Sequence, residues 1–370
     1  MKNRKNIMMR MVLVLALICV AVLAGRNEAS AKGSDGVIRF QPNTRGTVAV
    51  QVGDKIYYTT ERAGYIYTYD IKKKNNKKLA KIPKEVRDKN SVYYYKNYSS
   101  ISSMFYYKGN LYCEVSDKDL CMSYGIIRVN VKTGKVKKLF YEKCSGNNIP
   151  KTGLQFSIYN DKIYYAYSDG SLWETGGKEE NKIDCYFASM DLNGNHKKVI
   201  AHKELTKLYR NAYRFEMYVY EDALYVQITN KKGNSVNYKY GKNGKKTKIK
   251  KLANPYTNMK VSTSGCVYGI EKGLSDVLAI QNIQYKGNEY QAGVYGLYKI
   301  KDSLTEKTIY YKNDKMTSSR YVMLGDYILV SERYDTNKKY VCKDKVFLID
   351  INGKKKASLY TKTLNYNDEW

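Results

Sequence analysis

The chain has 370 residues, and its 43% hydrophobic content permits a sizeable buried core. Lys and Arg number 65 against 35 Asp and Glu, so the formal charge is +30 and the molecule attracts polyanions over long distances. It has only two histidines, which leaves little material for His-based acid–base or nucleophilic catalysis. Its 40 tyrosines suit half-buried strand faces, where the ring packs and the hydroxyl reaches a partner or water.

Residues 1–31 have the organisation of a secretory signal peptide. Basic residues are followed by an apolar run from Met11 to Gly25 and by the small-x-small sequence Ala29-Ser30-Ala31. The run is about fifteen residues long, shorter than the roughly twenty that span a bilayer. We therefore expect cleavage after Ala31, no stable membrane span afterwards, and a secreted or extracellular protein held at the cell envelope by charge. The remaining chain has 60 basic and 34 acidic residues, a net charge of +26.

A short phrase occurs six times in the remaining chain. It starts with a small or acidic turn pair and continues as an alternating apolar-Tyr strand, first seen in Asp54-Lys55-Ile56-Tyr57-Tyr58. Such alternation places successive side chains on opposite faces of a sheet. The later copies lie at 109–112, 160–165, 221–225, 264–268 and 325–329.

A second turn closes each unit before a Lys-rich strand. It contains Asn-Gly in three units, as in Asn193-Gly194, and Thr133-Gly134 in another. The first unit uses Asn75-Asn76 instead, and the fifth uses residues 301–303. Asn-Gly supplies the positive φ angles that a tight hairpin needs, so these sites predict hairpins.

The repeat predicts an all-β fold, since units of about 40–50 residues with several strands each are typical of propeller blades. We predict a six-bladed β-propeller of four-stranded antiparallel blades over residues 47–361. Seven blades are less favoured, because Val37 to Phe40 and the tail supply too little chain. Residues 32–46 form a lead-in with that one short strand, and 362–370 form a C-terminal tail. The predicted units are 47–82, 101–143, 155–200, 213–252, 259–311 and 320–361.

The first unit resembles the YWTD repeat of low-density-lipoprotein-receptor propellers in Ile56-Tyr57-Tyr58-Thr59-Thr60 and in the following run from Tyr65 to Ile71. It departs from that repeat where Tyr58 replaces Trp and Thr60 replaces Asp. Residues 47–361 as a whole resemble the Tyr- and Lys-rich secreted propellers of Gram-positive bacteria, a family of unknown function. The YWTD residues are structural, so the resemblance implies no catalytic residue.

Long loops indicate where a ligand site would lie. In a propeller, the loop between the second and third strands shares a face with the connection to the next blade, and long loops on a rigid scaffold carry function. The long segments here are 84–103, 168–184, 271–293 and 332–344. The candidate ligand-binding residues on them are Tyr93, Tyr94, Tyr95, Tyr98, Trp173, Tyr285, Tyr290, Arg333 and Tyr334.

Six cysteines remain after signal cleavage, and an even number in an exported chain permits disulfides. Cys113 and Cys121 flank a predicted turn symmetrically, so they are a candidate disulfide. The other cysteines are interpreted as small apolar strand residues. The sequence has no Cys/His cluster typical of zinc, and we predict neither a metal nor another cofactor.

These features favour a monomeric, non-catalytic binding protein whose loop-rich face binds a protein, a peptide or a cell-wall glycan. Flat Tyr rings stack on sugars and anchor peptides at modest entropic cost. One alternative is a polysaccharide-active hydrolase or lyase that uses loop carboxylates. Another is a structural protein of the envelope retained by charge alone. Nucleic acid is not predicted as a partner, because no nucleic-acid-binding motif accompanies the positive charge.

Overall fold

The computed structural model describes these ranges: 48–60, 64–83, 99–117, 123–141, 154–169, 183–205, 214–220, 223–229, 235–241, 243–250, 266–268, 282–285, 288–293, 296–301, 306–312, 318–324, 327–339, 341–350 and 353–365. Every regular element in them is a β-strand. In these ranges no helix has the length and apolarity needed to cross a membrane. The predicted signal peptide and the lead-in strand from Val37 to Phe40 lie outside the described residues.

The first three sheets are antiparallel meanders of four strands each. Sheet one contains β1 (Val48–Val52), β2 (Lys55–Thr59), β3 (Tyr65–Asp70) and β4 (Asn75–Lys81). Sheet two contains β5 (Ser99–Tyr107), β6 (Asn110–Asp117), β7 (Ser123–Asn130) and β8 (Val136–Tyr141). Sheet three contains β9 (Gln155–Tyr159), β10 (Lys162–Asp169), β11 (Ile183–Asp191) and β12 (Lys198–Leu205).

The remaining strands form three further sheets in the described ranges. Sheet four contains β13 (Arg214–Tyr220), β14 (Ala223–Thr229), β15 (Ser235–Tyr240) and β16 (Lys246–Ile249). Sheet five contains β18 (Asn282–Tyr285), β19 (Asn288–Gly293), β20 (Gly296–Lys301) and β21 (Glu306–Lys312). Sheet six contains β22 (Ser318–Met323), β23 (Tyr327–Asp335), β24 (Val341–Asp350) and β25 (Lys355–Asn365), with β17 (Cys266–Tyr268) added beside β22.

The predicted all-β architecture of four-stranded antiparallel sheets is confirmed in these ranges. The division of the chain was wrong in one place. The segment 264–268 was expected to begin the second strand of the fifth unit, but Cys266 and Tyr268 pair with Val322 and Arg320 of sheet six. Sheet five begins instead at Asn282. The phrase of a turn followed by an apolar-Tyr strand therefore predicts a strand but does not fix which neighbour it pairs with.

In sheet two, side-chain hydrogen bonds of one residue stabilise the hairpin between the third and fourth strands. The side chain of Asn130, at the end of β7, accepts hydrogen bonds from the backbone N–H groups of Lys132 and Thr133, each at 3.0 Å. Gly134 then takes φ +70°, a left-handed conformation that an L-residue adopts only at a cost. Sheets three, four and six also place a glycine with positive φ in this hairpin, as the sequence predicted. Sheet one uses Lys74 at φ 51°.

Apolar clusters join the sheets face to face in chain order. Val50 and Tyr57 of sheet one pack with Leu111 and Val129 of sheet two. Similar clusters join sheet two to sheet three and sheet three to sheet four. The remaining face of sheet one packs against sheet six, where Ile56 and Tyr58 meet Leu329, Val346 and Leu348. Sheets six, one, two, three and four therefore follow one another as packed neighbours.

The fourth strand of a sheet docks on the next sheet through a β-bulge. In sheet one the register with β3 skips Leu79, and in sheet six the register with β24 skips Leu359. A residue left out of the ladder can direct its carbonyl elsewhere. A Cβ on Gly134 of sheet two would lie 2.2 Å from the Leu79 oxygen, so this close approach requires glycine. The Leu359 oxygen likewise accepts a hydrogen bond, at 2.6 Å, from the Asn76 side chain of sheet one.

Candidate functional site

Most of the predicted ligand-binding residues lie outside the part of the chain that can be described. Residues 84–98, which contain Tyr93, Tyr94, Tyr95 and Tyr98, and residues 170–182, which contain Trp173, are in this group. Tyr285 and Tyr290 belong to strands β18 and β19, so their assignment to a long loop was wrong. Their ligand-binding role stays a prediction.

Arg333 and Tyr334 are placed, but not on a loop. The segment 332–344 was expected to be an insertion, yet β23 continues to Asp335 and β24 begins at Val341. The alternation of two long strands outweighs the polar composition that suggested a loop. Successive residues of a strand point to opposite faces, so Arg333 and Tyr334 take part in two different arrangements.

Arg333 forms a buried ion pair with Asp344, its cross-strand neighbour. Its Nε and Nη2 donate to the two carboxylate oxygens at 2.8 and 3.0 Å, a bidentate geometry. The Asp344 side chain is only 7% exposed. Tyr360 on β25 lies nearby, with its ring centroid 5.6 Å from that of Tyr67 in sheet one. Burial, followed by the neighbouring Tyr67 and Asp344, raises the pKa of Tyr360 and keeps its phenol neutral.

Next to this ion pair, sheet six has a cavity of about 230 Å³, which we call the sheet-six cavity. It spans β23, β24 and β25 and is lined by Glu332, Tyr334, Lys345, Val346, Phe347, Lys355, Ser358, Tyr360 and Thr361. That volume is below the roughly 300 Å³ at which drug-sized ligand sites begin, so the cavity suits a single sugar ring or side chain.

The chemical groups of the cavity meet at one cross-strand pair. Glu332 on β23 lies directly opposite Lys345 on β24. Glu332 is buried, with only 2% of its surface exposed. The Tyr334 hydroxyl donates a hydrogen bond to the Glu332 carboxylate. The Lys345 ammonium lies 4.3 Å from the centre of the Tyr334 ring, within cation–π distance. Further along, the Lys355 ammonium lies 5.0 Å from the centre of the Phe347 ring.

Glu332 was not predicted from the sequence, although a signal for it exists. It is the third member of the alternating series Ile328, Val330 and Glu332, whose first two members are buried core residues. The corresponding residues of sheets one to four, four positions after Ile56, Leu111, Ile163 and Leu224, are Thr60, Val115, Tyr167 and Ile228. Burying a carboxylate at such a position is costly unless it is paired, and the fold does not require it.

The residues that line the cavity are suited to binding a polar, negatively charged ligand group. In the described ranges no group of three or more His, Cys, Asp or Glu side chains is placed to hold a metal ion. Two ammonium groups against one carboxylate leave the cavity wall with a net positive charge. Ser358 and Thr361 add hydroxyls that both donate and accept hydrogen bonds. Such a wall can accept a ligand group that combines a negative charge with hydroxyl or amide groups.

Cys113 is a buried free thiol on β6, opposite Ile127 of β7. Its predicted partner Cys121 lies outside the described residues, so the Cys113–Cys121 disulfide stays a prediction. Burial strongly raises the pKa of the Cys113 thiol, as expected of an unreactive core residue.

No family model matches the chain, and no curated protein matches it. Among solved structures it is similar to a prolyl endopeptidase, with TM-score 0.35 and 9% identity over 92% of this chain. It is also similar to an acylaminoacyl peptidase of Pyrococcus horikoshii, with TM-score 0.34 and 10% identity over 86% of this chain. The chain spans about half the length of these proteins, 52% and 53%.

A third similar structure is the GH93 alpha-L-arabinofuranosidase of Fusarium graminearum in complex with arabinobiose. The TM-score is 0.28 and the identity 8%, over 70% of this chain and 91% of that one. At these values the likenesses carry no inference about activity. What the structure defines is an all-β protein of antiparallel sheets packed face to face, with a charged and aromatic cavity on one of them.

Proposed function

We propose that the chain is an exported six-bladed β-propeller that binds, without catalysis, a protein, a peptide or a cell-wall glycan bearing an acidic group. The observation that carries this proposal is the sheet-six cavity, where two lysine ammonium groups lie over aromatic rings beside a buried carboxylate. The six sheets of the described ranges and the packing of sheet one on sheet six support a closed ring of six blades. Residues 1–31 would direct export and then be removed.

The expected binding mode follows from the lining of the cavity. An acidic group of the ligand would pair with Lys345, which lies over the Tyr334 ring. The rings of Tyr334 and Phe347 would limit the entering group to a flat or narrow shape. Ser358 and Thr361 would satisfy its hydroxyl or amide groups. The small volume predicts recognition of one unit of a longer polymer, and the predicted loop residues would contact the units on either side.

The test is an array of uronic-acid oligosaccharides, cell-wall glycan fragments and acidic peptides, probed with mature protein at low and high salt. We expect a defined subset of spots to bind at both salt concentrations. In Lys345→Met this binding falls about tenfold or more, because a charge-assisted contact contributes roughly 1.5–3 kcal/mol. The matched control is Lys338→Met, an exposed lysine of the hairpin between β23 and β24 that does not line the cavity. Equal binding by wild type and Lys345→Met would contradict the proposal.

A second candidate function is supported by one contact. The Tyr334 hydroxyl donates to the Glu332 carboxylate inside the cavity, and a phenol beside a base can act as a nucleophile. The chain would then be a polysaccharide-active enzyme. The same array can separate the two functions if each spot is also assayed for new reducing ends. Turnover that disappears in Tyr334→Phe while binding persists supports the enzyme, and binding without turnover supports the binding protein.

A further inference from the structure

A second positively charged surface lies on the outermost strands and shares only Lys355 with the cavity. In sheets one to four and six, the fourth strand starts with closely spaced exposed lysines. They are Lys77 and Lys78 on β4, Lys137 and Lys138 on β8, Lys197 and Lys198 at the start of β12, Lys246 and Lys248 on β16, and Lys355 and Lys356 on β25. We call these ten residues the outer lysine band.

The band has few acidic residues within it. Strands β4, β8, β16 and β25 contain no Asp or Glu, and β12 contains one, Glu204. The acidic residues nearest in sequence lie in the preceding hairpin, where Asp350 forms an ion pair with Lys356 at 2.7 Å. Asp191 in the corresponding hairpin of sheet three contacts His196 rather than a band lysine. The charges of the band therefore add up over a long surface.

The fold aligns these lysines at one end of the sheets. Each strand concerned is last in the order of its sheet and starts directly after the hairpin from the third strand. The five sheets follow one another as packed neighbours, from sheet six through sheet one to sheet four. The band therefore repeats once per sheet around the outside of the molecule, and an extended chain could contact several sheets in succession.

Several band lysines are held against aromatic rings. The ammonium of Lys78 lies 4.4 Å from the ring centre of Tyr65, and that of Lys246 lies 4.0 Å from the ring centre of Tyr238. Lys138 is placed in the same way over Tyr141, at 4.5 Å. A lysine stem that already packs on a ring loses less side-chain entropy on binding. These charges are thus partly preorganised.

Edge protection alone explains only part of this pattern. A charged residue on an outer strand prevents pairing between sheet edges, and one lysine per strand serves that purpose. Here lysines occur together on every one of the five strands. All ten are lysines, and lysine is an established phosphate ligand that acts as a compact point charge.

We propose that the outer lysine band binds a flexible linear polyanion whose charges are phosphates. The polymer would lie along successive fourth strands and exchange its counterions for lysine ammonium groups. This site is separate from the function assigned to the sheet-six cavity, with Lys355 the one residue that belongs to both. The band would hold the protein on a phosphate-rich polymer while the cavity binds its own ligand.

Inorganic polyphosphate of about fifty units is a suitable probe, measured by fluorescence anisotropy over a range of salt concentrations. In the variant with Lys77, Lys78, Lys137 and Lys138 changed to Glu, affinity should fall about a hundredfold at 0.1 M salt. In the corresponding Gln variant, the slope of log affinity against log salt should decrease by about 3, since each contact contributes roughly 0.7. The control Lys338→Glu/Lys343→Glu alters exposed lysines at the other end of sheet six and should change affinity less than about twofold.

Two further polymers test the chemical class. Polygalacturonate, a carboxylate polymer, should bind at least about tenfold more weakly than polyphosphate. Single-stranded DNA should bind through the band as well, and its loss in the Gln variant would identify phosphate as the shared group. The proposal is overturned if the control variant loses as much affinity as the band variant, or if polygalacturonate binds as tightly. A band variant that still binds the array ligands of the cavity would separate the two sites.

Discussion

Sheets three and six place different chemistry at the same position of the fold. In sheet three, Tyr167 and Tyr186 lie opposite each other on β10 and β11, with stacked rings 4.9 Å apart. The corresponding cross-strand pair of sheet six is Glu332 and Lys345. Tyr165 extends the stack in sheet three, whereas a cavity adjoins the charged pair in sheet six. The backbone tolerates either pair, so the cavity is a property of a few side chains and not of the repeat.

The largest expected effect on stability concerns the ion pair between Arg333 and Asp344, which are the chain neighbours of Glu332 and Lys345. Arg333→Ala leaves Asp344 buried and without this partner, and we expect the free energy of unfolding to fall by about 3–5 kcal/mol. Urea denaturation measures this change. The matched control is Lys356→Ala, which breaks the more exposed pair with Asp350 on the same sheet and should cost less than about 1 kcal/mol. Similar losses in the two variants would mean that the charges of sheet six have no special role in its stability.

A smaller effect concerns the stacked tyrosines of sheet three at high pH. Burial, together with the nearby Tyr167, raises the pKa of Tyr165 to about 12. The unfolded chain releases this proton near pH 10 while the folded protein keeps it, so Tyr165 reduces stability progressively as the pH rises from about 10 to 12. Urea unfolding at pH 9, 10 and 11 should therefore show a shallower decline for Tyr165→Phe than for wild type. Identical declines would contradict the burial of this phenol within the stack.

The sequence predicted the fold further than it predicted the site. Turn pairs such as Gly53-Asp54 and hairpin glycines such as Gly134 are local signals, because they depend on the φ angle of single residues. Alternation then determined which face each strand residue occupies. Pairing partners are set by long-range packing, which explains why 264–268 was assigned to sheet five although it pairs with β22 of sheet six.

The site was harder to predict for a related reason. The sequence predicts Arg333 and Tyr334 on a loop. The cross-strand register of β23 and β24 instead places Tyr334 in the cavity lining and Arg333 in the ion pair with Asp344. Glu332 and Lys345 are 13 positions apart in the sequence and become neighbours only in that register. The interruption of a buried alternating series by Glu332 was the available signal. A search for charged residues in core positions would have found it.

The most direct test of the central claim is to convert the pair of sheet six into that of sheet three. The double variant Glu332→Tyr/Lys345→Tyr would fill the cavity with stacked rings, and Lys338→Tyr/Lys343→Tyr adds two rings at exposed positions of the same hairpin. Binding of both variants to the array of acidic oligosaccharides and acidic peptides is measured after circular dichroism confirms folding. We predict that the first variant folds but loses the salt-resistant binding, while the second retains it. Unchanged binding by a folded Glu332→Tyr/Lys345→Tyr protein would show that the ligand site lies elsewhere.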